Sequence, residues 1–579
     1  MSGPGSQLSS SSSGGGSKTA LCSTTSAKPT SASRPGNSEI KPADLTGSVF
    51  LISSEGKILN LPIPARSPHD PLNWPAKKRV VSFVVLMVFS TVPLVTVLGP
   101  SMMFEVLARE LGPNMSVVGS VLLVTLLQET GPFNVELLLS APSLFQGVAA
   151  FLWVPLSLAV GRRPTLLLAS FTLLIATIWA GASTSFVSLL AAVCLVGTVL
   201  GAAMSVVYLT VIDLTFIHQR PQAIAMVWSV VGSVSPAVLS FSHAVNPTSD
   251  WRKFYYMGII PTTISFLLVY FFFTETYFTR PTVAFDGHII VQNAAEEIKI
   301  YDTWEAVPGA VGVRDVPKVP GQGVWKWSTK ELKFWGKTPG GWNAMFACYP
   351  QILLCLLNPL VFWVTLLQAA IFGSMLSLGQ TYVQVLRSEP YNLPPHAIGL
   401  VNVAQALGSA LAWPAAGIMV THIMKKLAMA NKGVKDAEHY LPAFVLPILT
   451  GAGSVTLYGI TVQHKWHWIW VYVAYVLNAF SFSAMATAST LWITEAFPRW
   501  AAPAMVVVSG ISYIASFGIS FSILPWVKSQ GFSGANMEMA CIILGIGLVA
   551  VPIAFWGKKL RQYIDGKWAI NEMGALRPQ

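Results

Sequence analysis

Asn402, Gln405 and Ser409 recur at i, i+3 and i+7, which places two carboxamides and a hydroxyl on one face of a helix. Asn478 and Ser481 make a second such set, and Ser205 and Tyr208 a third. Gln146 and Gln368 stand alone inside long apolar runs. These groups offer hydrogen bonding without charge, since an amide both donates and accepts. Trp228 and Tyr513 add flat aromatic surface on which a ligand can stack. In lipid an amide would leave its polar atoms unsatisfied, so these side chains are expected inside a helix bundle. There they either line a cavity or bond one helix to the next. Such a cavity suits neutral or cationic amphipathic organic molecules better than sugars or phosphates. No nucleophile-base pair, metal-ligand cluster or phosphate loop stands out, so no enzyme activity, metal or other cofactor is expected.

Ionisable groups tell the same story by their position. Glu136, Asp213, Glu495 and Glu538 all fall at the ends of apolar runs, where solvation is cheap, and read as solvated end residues. No carboxylate falls near mid-membrane. A proton carrier needs a group whose pKa shifts as a cavity opens to each side. Proton coupling is therefore expected to be weak or absent, with Glu136, Asp213 and His218 as the nearest candidates.

The elements that must position these residues are long apolar helices. Hydrophobic residues make up 53% of the chain and charged residues 11%, and the mean hydropathy is +0.58. A hydrocarbon core of ~30 Å needs ~20 apolar residues of helix. Runs of that length recur near 80–103, 137–159, 165–184, 187–211, 223–245, 255–274, 358–384, 396–420, 442–462, 468–491, 502–526 and 536–556. The expectation is an all-α polytopic membrane protein with twelve transmembrane helices in two six-helix halves, 79–276 and 350–557. Residues 277–349 form a polar central loop, and 558–579 a C-terminal tail. Residues 1–78 form an N-terminal tail whose first part is too rich in Ser, Gly, Thr and Pro to offset its ordering entropy.

The formal net charge of +11 raises the possibility of a nucleic-acid partner, but the basic residues cluster beside span ends. Lys77, Lys78 and Arg79 precede span 1, Arg162 and Arg163 follow span 2, Arg220 follows span 4, and Lys558, Lys559 and Arg561 follow span 12. Both termini and the central loop are expected on the cytosolic side, with no nucleic-acid partner. The partners expected are the bilayer and a small organic substrate, and the protein is expected to be a monomer of the plasma membrane. The five cysteines are scattered, without disulfide or zinc spacing. Residues 1–40 lack the apolar core of a cleavable signal, so the first span is expected to direct insertion. Met115–Leu127 reads as an amphipathic helix on the outer face, and Asn114-Met115-Ser116 is a candidate glycosylation sequon beside it.

Short motifs connect these pieces. Pro71-Leu72-Asn73-Trp74-Pro75 precedes span 1, and Gln146-Gly147, Trp153-Val154-Pro155-Leu156 and Gly161-Arg162-Arg163-Pro164 mark span 2 and the turn after it. Asp213-Leu214-Thr215-Phe216-Ile217-His218-Gln219-Arg220 follows span 4, with Trp251-Arg252 and Glu275-Thr276-Tyr277 flanking span 6. Glu438 to Leu441, Tyr458-Gly459, Trp466-His467-Trp468 and Pro525-Trp526 recur in the second half. In order and spacing this series resembles fungal transporters of the major facilitator superfamily, of the drug and general-substrate type.

The resemblance implies alternating access through a midplane cavity and export of a drug, toxin or metabolite. Uptake of an organic nutrient, or a sensor that moves nothing, are the rival readings. The family's loop 2–3 latches the closed state, often through an Asp that is Leu158 here. The corresponding loop after span 8 has Gly417, with Thr421 and His422 where an Asp-Arg pair is usual, so both latches look weakened in charge. Val193 and Val196 take the places of the Arg and Gln that many proton-coupled relatives carry in span 4. Gly232, Ser233, Ser235 and Pro236 match the antiporters' small-residue stripe in span 5 only in part.

Overall fold

The computed structural model describes chiefly residues 69–103, 137–241, 250–278, 340–431 and 434–568, with a few short segments between them. Asn114, the stretch Met115–Leu127 and Glu136 lie outside the described residues, as does most of the central loop. Everything below belongs to the unit Pro42–Gln579.

Among the described residues the membrane part is helical. The spans are α1 (Ala76–Leu98), α2 (Leu137–Val160), α3 (Arg162–Ala182), α4 (Phe186–Leu214), α5 (Arg220–Ser240), α6 (Trp251–Phe272), α7 (Pro359–Arg387), α8 (His396–Ala430), α9 (Pro442–Gln463) and α10 (Ile469–Ala496). The helical stretch Ala501–Ile564 is two helices, α11 (501–530) and α12 (532–564), because Gly531 turns the chain at φ 75°. These twelve helices match the expected spans, though α8 runs ten residues past the boundary read from hydropathy.

Each span has two faces. On α3, Leu167, Ser170, Leu173, Ala176 and Ala180 are buried, while Leu168, Phe171, Ile175 and Ile178 are exposed. Both faces are apolar, as lipid requires, and the small hydroxyls satisfy themselves on the helix behind them. Ser170 Oγ donates to Leu167 O, and Thr177 Oγ1 to Leu173 O. Close packing joins the two halves. At Gly147 of α2 an added Cβ would stand 2.5 Å from the carbonyl oxygen of Gly510 in α11, so only glycine permits that approach. Two π-helical turns, Trp413–Met419 in α8 and Val507–Ile511 in α11, lie at the same seam.

A further helix, Gly341–Leu357, leads into α7 and is called the connector helix here. It is 17 residues long, too short for the twelve-span reading, which placed its first part in the central loop. Outside the membrane part lie two small sheets. β1 (Ser48–Phe50) pairs antiparallel with β6 (Val434–Asp436), in the register Val49 to Lys435. β2 (Thr282–Phe285), β3 (His288–Gln292), β4 (Ile298–Tyr301) and β5 (Gly312–Val313) form a four-stranded sheet in the order β4-β3-β2-β5.

Candidate functional site

A cavity of about 180 Å³ lies in the middle of the bundle. α1, α2, α4 and α5 of the first half line it, together with α7, α8, α10 and α11 of the second, while α3, α6, α9 and α12 contribute nothing to it. Along α1 and the turn after it the lining runs over Leu94, Val97, Leu98 and Ser101, and along α2 over Ser140, Ser143 and Gln146. Along α8 it runs over Val401, Asn402, Gln405 and Ser409. On these helices the lining belongs to the part remote from the α2–α3 turn. The cavity thus runs from mid-helix toward one end of the bundle, the mouth.

Its floor is aromatic. Trp228 stacks on Tyr208 at 4.5 Å and 10°, and Phe482 meets Trp228 edge-on at 6.0 Å. Phe372 packs against Phe482 at 5.5 Å and edge-on against Tyr513 at 4.7 Å. Gln146 hydrogen-bonds Tyr513, which ties α2 of one half to α11 of the other. Ser483 Oγ donates to Ser409 Oγ at 3.2 Å. Asn478 Nδ2 donates to Ser374 Oγ and Ser454 Oγ, each at 3.1 Å, so this amide braces three helices as it lines the cavity. Among the described lining residues there is no Asp, Glu, Lys, Arg or His.

Of the ten residues singled out from sequence for a cavity, Gln146, Trp228, Asn402, Gln405, Asn478 and Tyr513 line this one. The other four do not. Tyr208 sits behind Trp228 as its stacking support. Ser205 donates to Gly201 O at the break in α4, and Ser481 donates to Pro447 O. Gln368 Oε1 accepts from Ser489 Oγ, joining α7 to α10. Ser481 and Gln368 satisfy their polar groups between helices and Ser205 within its own, alternatives that shared-face spacing cannot tell from lining. Pro236 lines the cavity beside Gly232. Gly417 lies inside α8 rather than in a loop, and an added Cβ there would stand 3.2 Å from Ala225 Cβ of α5.

The opposite end of the bundle is closed by charge. Gly161, at φ 101°, makes the α2–α3 turn and leaves room for Glu275, whose carboxylate accepts the backbone N–H groups of Arg162 at 3.0 Å and Arg163 at 3.1 Å. That is an acid at a helix N-terminus, where the dipole and free N–H groups favour it. Arg162 Nε reaches Asp213 Oδ2 at 3.3 Å, and its Nη1 reaches Ser157 Oγ at 2.5 Å. Arg163 Nη2 donates to Tyr270 O. Between the halves, Arg220 Nη1 donates to Glu495 Oε1 at 3.1 Å and Lys435 Nζ to Glu495 Oε2 at 2.8 Å. The three side chains are only 2%, 7% and 2% exposed. Arg561 pairs with Glu438 and Lys558 with Asp436 on the same end.

Two expectations are corrected here. Glu495 is not a solvated end residue: the Arg220–Glu495–Lys435 triad buries it. Asp213 is paired with Arg162 and largely buried, while Glu538 is exposed as expected. Nor is the closure weak in charge where Leu158 replaces an Asp. Asp213 and Glu495 on other helices and Glu275 just after α6 supply the negative partners, a placement that local motif spacing does not reveal.

The environment shifts three groups outside the spans. Burial pushes the Lys435 amine down, and Glu495 opposes the shift. Burial lifts the Glu275 carboxyl, and the N–H bonds from Tyr277, Arg162 and Arg163 oppose that. Burial, with Lys425 and Lys435 nearby, lowers His218.

A twelve-helix bundle, a cavity lined from both halves and a turn built on Gly161-Arg162-Arg163 narrow the choice of family. The Major Facilitator Superfamily model matches residues 84–520. The chain belongs to the Major Facilitator Superfamily. It is 21% identical over 89% of its length to an uncharacterized MFS-type transporter of Schizosaccharomyces pombe, covering 90% of that protein. It is 23% identical over 87% of its length to the MFS-type transporter hepF of Aspergillus oryzae, covering 93% of it. Among solved structures, the human organic anion transporter MFSD10 matches at TM-score 0.52 and 16% identity, over 82% of this chain and all of that one. The proton:xylose symporter XylE matches at TM-score 0.53 and 12% identity, over 86% of this chain and all of that one. These two share the fold. The protein is a secondary transporter of small molecules, and it is not an enzyme.

Proposed function

We propose that the protein exports small, neutral, partly aromatic organic molecules by alternating access, with little or no proton coupling. The observation that carries this reading is a central cavity lined from both halves, with no charged side chain among its described lining residues, above a charge-closed end. A charged substrate would surrender its hydration there without gaining a counter-charge, an unfavourable exchange. Trp228, Phe372, Phe482 and Tyr513 offer apolar and stacking surface, while Gln146, Asn402 and Gln405 orient a polar group. The latched end carries the basic residues that the positive-inside rule puts in the cytosol. On that assignment the structure is the outward-facing state, both termini are cytosolic, and the moving bodies are 79–276 and 350–557. Export at the plasma membrane is the direction favoured by the resemblance to fungal drug facilitators. The uncharged cavity supports weak coupling, since the titratable groups gather at the latch instead.

The test is expression in a transporter-deficient yeast, challenged with toxic compounds and assayed for efflux of radiolabelled neutral ones. The reading predicts resistance and lower accumulation that Trp228→Ala weakens at unchanged abundance. Accumulation above the empty-vector level would reverse the direction. Protein-dependent flux of none of the compounds would remove the transport reading itself.

A further inference from the structure

The connector helix has a composition that neither water nor the central loop explains. Residues 341–357 contain no Asp, Glu, Lys or Arg. One face, Ala344, Cys348, Ile352 and Cys355, is buried at helical spacing in the main core. That face packs on α2 of the first half and on the first turns of α11 in the second. The opposite face shows Trp342, Phe346, Leu353 and Leu357, with Phe346 66% exposed. An apolar stripe of this kind in water would be a large unfavourable patch.

Its two ends fix its direction. Just before it, Thr338 Oγ1 donates to the carbonyls of Leu158 and Ala159 in the last turn of α2. Just after it, Asn358 Oδ1 accepts the Leu360 N–H and starts α7. Both points lie at the latched end of the bundle. A 17-residue helix is about 25 Å long. It therefore runs along that end rather than across the membrane. On α2, which it packs against, Val148 and Leu152 are likewise apolar and exposed.

We infer that the connector helix lies in the plane of the leaflet at the latched end, with lipid acyl chains as the partner of its exposed face, and acts as a strap over the α2–α11 seam. An apolar helix face meets the headgroup-acyl boundary in this way in interfacial helices. The strap's second role rests on the alternating-access reading. When the latch opens, α2 and α11 part at this end, and the strap must leave one of them. Gln351 marks the contact as one that can be given up. It is buried on the packed face with both amide atoms lacking a hydrogen-bond partner, an unfavourable state that lifting the helix into the headgroup region relieves.

The experiment uses the full chain in phospholipid nanodiscs, with the native cysteines replaced. A nitrobenzoxadiazole dye on Leu353→Cys, and separately on Phe346→Cys, reports the surroundings. Shallow doxyl-lipid should quench both strongly and iodide hardly at all. Iodide quenching would place the face in water and overturn the inference. Protection from both quenchers would show a protein partner, such as a second copy of this chain, and overturn it equally. A second arm tests the strap. Spin labels at Val80 and Met429, exposed at the latched end in opposite halves, report opening by their distance distribution. Gln351→Leu should shift the populations about tenfold toward the shorter distance. An unchanged or opposite shift would remove the strap role. The dye arm does not depend on transport, so failure of the exporter reading is separable from failure of the lipid contact.

Discussion

Replacing Glu495 by Gln should open the latch, and its size follows from the triad. Glu495 receives Arg220 from the first half and Lys435 from the second, at 3.1 and 2.8 Å, and all three are nearly inaccessible. Removing one partner of a buried charge pair costs roughly 3–5 kcal/mol, because the remaining charge stays desolvated. The glutamine amide retains one hydrogen bond, on the order of 1 kcal/mol. In the opened state the same side chains meet water, so most of the difference falls on the latched state. The net shift is about 3 kcal/mol, on the order of 100-fold in the ratio of the two states. The Val80–Met429 label pair reads this directly as growth of the longer distance. The triple change Arg220→Met, Glu495→Met, Lys435→Met should restore latching, since apolar replacement of a buried ion cluster is often neutral. An unchanged distance distribution in Glu495→Gln, in correctly inserted protein, would refute the claim that this triad holds the halves together.

Three further outcomes follow. His218 is held below its ordinary pKa in the latched state by burial and by Lys425 and Lys435; the latched state is therefore fully favoured above about pH 6.5 and loses stability as pH falls below that toward the lowered pKa. Acidifying the latched side should raise the open population by less than tenfold per pH unit, and His218→Gln should flatten that dependence. Gln405→Ala or Asn402→Ala should alter transport at normal abundance, whereas Gln368→Ala, which loses the Ser489 bond, should lower abundance or thermal stability and leave substrate preference alone. Gly147→Val should abolish function through the α2–α11 seam, because its side chain would meet the Gly510 carbonyl; normal flux in that variant would contradict the packing.

Much of this was legible in the sequence because lipid imposes a simple rule. Twelve apolar runs announce twelve helices. The cavity was half legible. Amides at i, i+3 and i+7 identify a common face, as for Asn402, Gln405 and Ser409, but the same spacing describes Ser481, which bonds a neighbouring helix instead. Which interior face a helix turns to the axis depends on its rotation against its neighbours, and no local pattern carries that. The latch was misread for the same reason. A motif compares adjacent positions, whereas Glu495 meets Arg220 across 275 residues. The connector helix escaped because 17 uncharged, mostly apolar residues broken by Pro350 fall below span length, although the absence of any charge was a usable signal.

The most direct test of alternating access is a reversible lock at the latched end. Ala225 of α5 and Gly417 of α8 face each other across the halves, with a Cβ separation near 3.2 Å once Gly417 carries one, close to disulfide range. Ala225→Cys with Gly417→Cys is reconstituted in vesicles after the native cysteines are replaced, and flux of a radiolabelled neutral substrate is measured. The account predicts that oxidation brings flux down to the protein-free level and that reduction restores it. Undiminished flux with the disulfide confirmed by mass spectrometry would contradict it.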